Sequence, residues 1–203
     1  MELAKEKSKT AFNHQAATYD SDIKGQHARN LYPALLEKLS NIFFNTILDL
    51  GCGTGAVMKS ILDENSHKEV FGLDISEKML SIAKEKLKGH ANLVLGDSDN
   101  LPFENHFFDV VYCNDSFHHY PMPKTVLSEV YRVLKPGGTF IICDCWQPLL
   151  SRAIMNAFIK YSNEGDVRMY SEKEICGLLS LYFQNIVWEK VNQTSFIVYG
   201  SKQ

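Results

Sequence analysis

Five short, nearly unbroken apolar runs recur along the chain, and several are separated by longer stretches whose apolar residues return every three or four positions. The runs are 46–50 (TILDL), 70–73 (VFGL), 92–95 (NLVL), 110–113 (VVYC) and 139–143 (TFIIC). An apolar run without polar alternation predicts a strand covered on both faces, as in a parallel sheet between two layers of helices. Helical stripes lie between them. Val57, Ile61 and Leu62 follow the first run, and Met79, Leu80, Ala83 and Leu87 follow the second, with Ser76 placed to cap them. Val126, Leu127, Val130, Val133 and Leu134 precede the fifth, where Lys135-Pro136-Gly137-Gly138 is expected to stop the helix and turn the chain into the strand. Strand and helix alternating in this way is the sequence form of a doubly wound α/β domain.

Both ends depart from that rhythm. Residues 149–161 read as a helix, Ser171-Glu172-Lys173-Glu174 as a capping box opening another to about 181, and 186–188 and 196–199 as two strands. Only 189–195 joins those strands. That is too short for a crossover helix, so the pair is expected to be an antiparallel hairpin ending the sheet. At the other end Leu31, Leu35, Leu36 and Leu39 share a helix face, preceded by a polar arm containing Phe12, Tyr19 and Asp20. No repeat, low-complexity tract or linker divides the chain. Residues 1–203 are read as one domain, with 1–40 an arm and helix covering the site and 146–182 a helical insertion before the terminal hairpin.

Composition narrows the class. With 45% apolar residues, 22% charged residues and a net charge of -3, the chain lacks both the signature of disorder and the cationic stripe of a nucleic-acid binder. Residues 1–9 lack the apolar stretch of a secretory signal, and no apolar run of about 18 residues occurs, so a cytoplasmic chain without a membrane span is expected. The five cysteines, Cys52, Cys113, Cys143, Cys145 and Cys176, suit reduced thiols used as small hydrophobes. Cys113, Cys143 and Cys145 could form a thiolate metal site, but no CxxC spacing supports one, and no metal is expected.

The stretch Asp49-Leu50-Gly51-Cys52-Gly53-Thr54-Gly55 stands after the first strand and opens a helix. Glycines there let the backbone pass close under a ligand whose polar end meets free amides at the helix start. Gly51, Gly53 and Ala56 also fit a dinucleotide fingerprint, with Asp74 as the acid for ribose hydroxyls. Charge separates the ligand classes. Asp49, Asp97, Asp99 and Asp115 all fall at the carboxyl ends of strands, where open α/β sheets bind ligands; such a pocket suits a cationic ligand and repels a pyrophosphate.

In these residues the chain resembles the class I S-adenosylmethionine-dependent methyltransferases. ILDLGCGTG is similar to their first motif, GLDIS to the acidic second, GDSDNLPF to the third, FDVVYCNDSFHHY to the fourth, and RVLKPGGTF to the approach to the fifth strand. Phe12, Ala16, Tyr19 and Asp20 resemble the start of the subgroup related to ubiquinone and menaquinone biosynthesis methyltransferases. The resemblance implies a Rossmann-like seven-stranded sheet of order 3-2-1-4-5-7-6 with the last strand antiparallel and helices on both faces. It implies S-adenosyl-L-methionine as cofactor, leaving as S-adenosyl-L-homocysteine, and a small-molecule acceptor. Gly51, Gly53 and Gly55 are then expected to let the backbone approach the methionine moiety, with Asp49 on its ammonium, and Tyr19 and Cys52 are expected to contact the cofactor. Asp74 would take the ribose hydroxyls, Ile75 and Met79 the adenine faces, Asp97 and the Ser98 amide the adenine edge, and Asn114 the methionine end. Ser98 stands where relatives often have Ala, which leaves a backbone contact intact.

His118 and His119 are the candidates for a general base, which methyl transfer needs only when the acceptor must lose a proton. Phe117, Tyr120 and Trp146 are candidates to line an acceptor pocket, with sheet-edge packing expected of at least one. Other readings are a non-catalytic S-adenosylmethionine-binding or interaction protein, and an NAD-dependent oxidoreductase. A monomer or homodimer is expected, and the arm at 12–20 is expected to close as a lid.

Overall fold

The computed structural model describes residues 2–203, so Met1, counted in the single-domain reading, lies outside the described residues. Two helices come first, α1 (Glu2–Gln15) and α2 (Gln26–Ser40). The alternating part follows as β1 (Thr46–Leu50), α3 (Ala56–Glu64), β2 (Glu69–Asp74), α4 (Glu77–Leu87), β3 (Asn92–Leu95), β4 (Phe108–Asn114), α5 (Pro123–Val133) and β5 (Leu134–Cys145). It ends with α6 (Leu149–Phe158), α7 (Glu172–Leu179), β6 (Gln184–Lys190) and β7 (Ser195–Ser201). The strands form one sheet of order β3-β2-β1-β4-β5-β7-β6. β3, β2, β1, β4 and β5 run parallel, and β7 pairs antiparallel with both β5 and β6. This is the expected order, hairpin included.

Alternate residues of each central strand feed two separate cores. Leu48, Val111, Cys113 and Ile142 meet Val126, Leu127 and Val130 of α5 and Ile175 and Leu179 of α7 on one face. Ile47, Val110, Tyr112, Ile141 and Cys143 meet Leu31, Leu35 and Leu39 of α2 and Val57, Met58 and Ile61 of α3 on the other. Both faces being covered is why the strands read as continuous apolar runs. It also puts the Cys113 and Cys143 side chains in opposite cores, so the three-thiolate arrangement weighed from sequence does not form.

Ser76 caps α4 through its hydroxyl, which accepts from the Met79 amide, and Ser171 with Glu174 closes a capping box on α7. Two segments differ from expectation. The Lys135–Gly138 stretch is no free turn: β5 already starts at Leu134, and its pairing with β4 jumps from Phe108↔Leu134 to Val110↔Thr139. The extra residues form a bulge, with Gly137 at φ +78. The polar arm begins as a regular helix, α1, which buries only Ser8.

Candidate functional site

The carboxyl ends of β1, β2 and β4 open into a cavity of about 110 Å³. Its floor is the loop 51–55. The amides of Gly51 and Cys52 both donate to the Leu73 carbonyl, which folds the loop back over β2. Gly51 has φ +81, and a Cβ there would stand 2.5 Å from the Ser116 hydroxyl oxygen; Gly53 has φ +51 with open space where its Cβ would be. The first glycine is required by packing against the β4 end, and the second leaves a bare backbone facing the cavity.

Two carboxylates converge on this loop. Asp74 accepts from the Gly53 amide through Oδ2 and from the Ser76 amide through Oδ1, both at 2.8 Å. Burial raises its pKa although those amides oppose the rise. Asp49 is 3% exposed and accepts a 2.7 Å hydrogen bond from the Tyr112 hydroxyl. Burial pushes its carboxyl up to about 8, against the Tyr112 bond. Among the described residues no Lys or Arg charge offsets either acid. A cation entering beside them would be stabilised by both.

Ile75, Met79, Asp97, Ser98, Asn114, Cys52 and Tyr19 line the same cavity. Burial holds the Cys52 thiol well above its ordinary value, so it is an unreactive wall. Asn114 donates to the Ala28 carbonyl, while its Oδ1 is buried without a partner. Asp97 is engaged from α1: Lys5 Nζ lies 2.6 Å from Asp97 Oδ2 and 2.5 Å from Asp99 Oδ2. Gly55, by contrast, acts in the turn itself, as the left-handed N-cap of α3.

A second cavity adjoins the first. Phe12, Tyr19, Asp115 and His119 line both, and the second is completed by His27, His118, Cys145, Asp166 and the α6 residues Met155 and Phe158. His118 Nδ1 is 2.6 Å from Asp144 Oδ1. Burial works against charge on this imidazole, but Asp144 outweighs it and holds the pKa well above the ordinary value. His119 is pushed down to about 4, by burial first and then by the charge on His118. The two histidines therefore differ at neutral pH: His118 is charged and His119 is a neutral base.

Residues 48–142 match the family model described as a methyltransferase domain. Over these residues the chain has the sequence of a methyltransferase domain. It is 35% identical over 153 residues to the demethylmenaquinone methyltransferase of Lactococcus lactis subsp. lactis, 71% of this chain and 61% of that one. With the demethylmenaquinone methyltransferase of Staphylococcus haemolyticus the identity is 41% over 109 residues, 51% of this chain and 44% of the relative. The chain thus matches about half to three-fifths of these relatives' length. A solved complex of the Haloferax volcanii Trm112 methyltransferase activator with a methyltransferase contains a chain of the same fold. Its TM-score is 0.76 at 21% identity, covering 94% of this chain and 97% of that one.

In this methyltransferase domain the sequence-predicted donor residues share one cavity or frame its floor. The acceptor aromatics do not gather as expected. Tyr120 lines the donor cavity, but Phe117 is fully buried against Tyr170, and Trp146 packs on Trp188. Sequence reasoning missed Lys5, His27, Asp144 and Asp166. Only Asp144 left a signal, as a lone acid inside the apolar run 139–145. Asp166 lies in a loop with no pattern of its own.

Proposed function

We propose that the protein transfers the methyl group of S-adenosylmethionine to a small molecule held in the second cavity. The observation that carries this reading is the pair of buried carboxylates, Asp49 and Asp74, facing a glycine loop with no basic side chain to balance them. A donor with an ammonium and a sulfonium suits that field, and the pyrophosphate of a dinucleotide does not. Asp74 would accept the ribose hydroxyls, Asp49 the ammonium, and the bare backbone at Gly53 the methionine chain. Ile75 and Met79 would flank the adenine, with Asp97 and the Ser98 amide at its edge once Lys5 gives way, and Asn114 near the methionine end.

In the reaction the sulfonium S–CH₃ bond breaks as the acceptor atom bonds to that carbon, leaving neutral S-adenosylhomocysteine. Where the acceptor carries a proton, His119, neutral and shared by both cavities, is the group to receive it. A small acceptor rather than a nucleic acid fits the net charge of -3. Among the described residues no helix is long and apolar enough to cross a membrane. A cytoplasmic monomer or homodimer remains our reading.

Thermal unfolding with nucleotide ligands tests the proposal. S-adenosylhomocysteine at one hundred times its Kd should stabilise the fold by about 2.7 kcal/mol, and NAD should leave it unchanged. Stabilisation by NAD alone would reject the reading.

A further inference from the structure

Donor binding makes no use of a cluster on the wall of the second cavity. His118 and His119 end the turn after β4, and Asp166 reaches them from the loop before α7. His119 Nδ1 lies 3.1 Å from Asp166 Oδ1, and His118 Nε2 lies 3.6 Å from the same oxygen. The three side chains bring one ligand atom each to within 4.8 Å of one another.

The surroundings prepare these atoms for coordination. Asp144 takes the His118 backbone N–H on Oδ2 at 2.9 Å and contacts the ring Nδ1 through Oδ1 at 2.6 Å. With the Nδ1 proton held on Asp144, Nε2, turned toward Asp166, is the nitrogen that would release its proton to take an ion. A carboxylate behind an imidazole is the outer partner that metal-bound histidines regularly have, because it fixes the ring and strengthens the opposite nitrogen as a ligand. His119 adds the second observation: the residue is 8% exposed, and its Nδ1 has no hydrogen-bond partner. Asp166 is close enough to pair with it but poorly aligned for a hydrogen bond. A buried ring nitrogen left in that state costs free energy unless something else occupies the space.

We propose that His118 Nε2, His119 Nδ1 and an Asp166 carboxylate oxygen bind one divalent first-row transition-metal ion. Two imidazoles and one carboxylate suit zinc, cobalt, nickel or iron(II), and give too few oxygens for magnesium or calcium. Three protein ligands leave coordination positions open, as in sites that take up a small molecule. The three side chains line the cavity shared with Phe12 and Tyr19, so the ion would fix an acceptor through an oxygen or sulfur donor and, in place of His119 as base, promote loss of its proton. That last role rests on the methyltransferase reading; the ion site does not.

Cobalt(II) titrated into tag-free, chelator-stripped protein tests the site. One equivalent should bring visible d–d absorption and a higher Tm. Asp166→Ala should weaken cobalt binding by at least about 100-fold, beyond the range of about 10- to 100-fold expected from Asp144→Asn, which removes only the outer partner. S-adenosylhomocysteine binding, measured on each variant, reports that the domain is folded. If that nucleotide binds and cobalt produces neither signal, the cluster is an ion-pair network and the proposal falls while the methyltransferase reading stands. Cobalt bound equally well by Asp166→Ala would place the ion elsewhere and overturn it too. Cobalt binding without nucleotide binding would overturn the functional reading and leave the site.

Discussion

Asp49 shows how burial can tune a ligand contact. Its carboxyl, at about 8, holds a proton at neutral pH in the free protein, and an incoming ammonium would expel it. Because this pKa lies above the ordinary value of 3.8, the group's contribution to stability is full below about pH 4 and is lost as the pH rises through 8. Ligand binding runs the opposite way. Donor affinity should rise by up to about tenfold per pH unit toward 8 and then level off. Calorimetry in buffers of different ionisation enthalpy should detect a proton released on binding at pH 7, and Asp49→Asn should abolish that release. Asp74, whose carboxyl pKa burial also raises, is held in place by two amides. Asp74→Ala removes charge-assisted bonds to the ribose and should weaken donor binding by about 1.5 to 3 kcal/mol, measurable by the same titration. These acids were legible from sequence because strand ends and a glycine loop mark the binding edge of such a sheet. The link from His118 to Asp144 was not. It depends on β4 and β5 lying side by side, with Asn114 opposite Cys143, and no local spacing encodes that.

At the scale of elements, α1 lies over the donor cavity with Ser8 as its one buried residue. Its tethers are polar: Lys5 to Asp97 and Asp99, Lys9 to Glu77, Asn13 to the α4 cap, and Ser8 to the Glu164 carbonyl. Pairs of this kind, partly open to water, contribute about 0 to 1 kcal/mol each, so the helix can lift at small cost. Phe12 supplies an apolar contact, edge-on to His119 at 5.1 Å. Amide exchange in 2–20 should therefore slow when S-adenosylhomocysteine is added, and deletion of the segment should lower turnover while the sheet stays folded. Exchange equally slow with and without ligand would make α1 fixed scaffold. The helix itself was poorly legible, because a segment that buries almost nothing leaves no apolar period to read. The bulge at 135–138 was misread for a related reason: Pro and Gly mark a break in regular structure, whether the break is a turn or an irregular strand.

At the scale of the molecule, the order of seven strands was legible because each central strand is buried on both faces and the closing connection is too short to cross over. What sequence could not convey is that Phe12, Tyr19, Asp115 and His119 belong to two cavities at once. A wall used from both sides turns geometry into timing. An acceptor seated in the outer cavity would stand against the same four side chains that bound the donor and would cover that side of it. The ligands should then queue: S-adenosylmethionine first in, S-adenosylhomocysteine last out. Steady-state inhibition will register the queue, with S-adenosylhomocysteine competing directly against the donor and the methylated product competing against neither substrate.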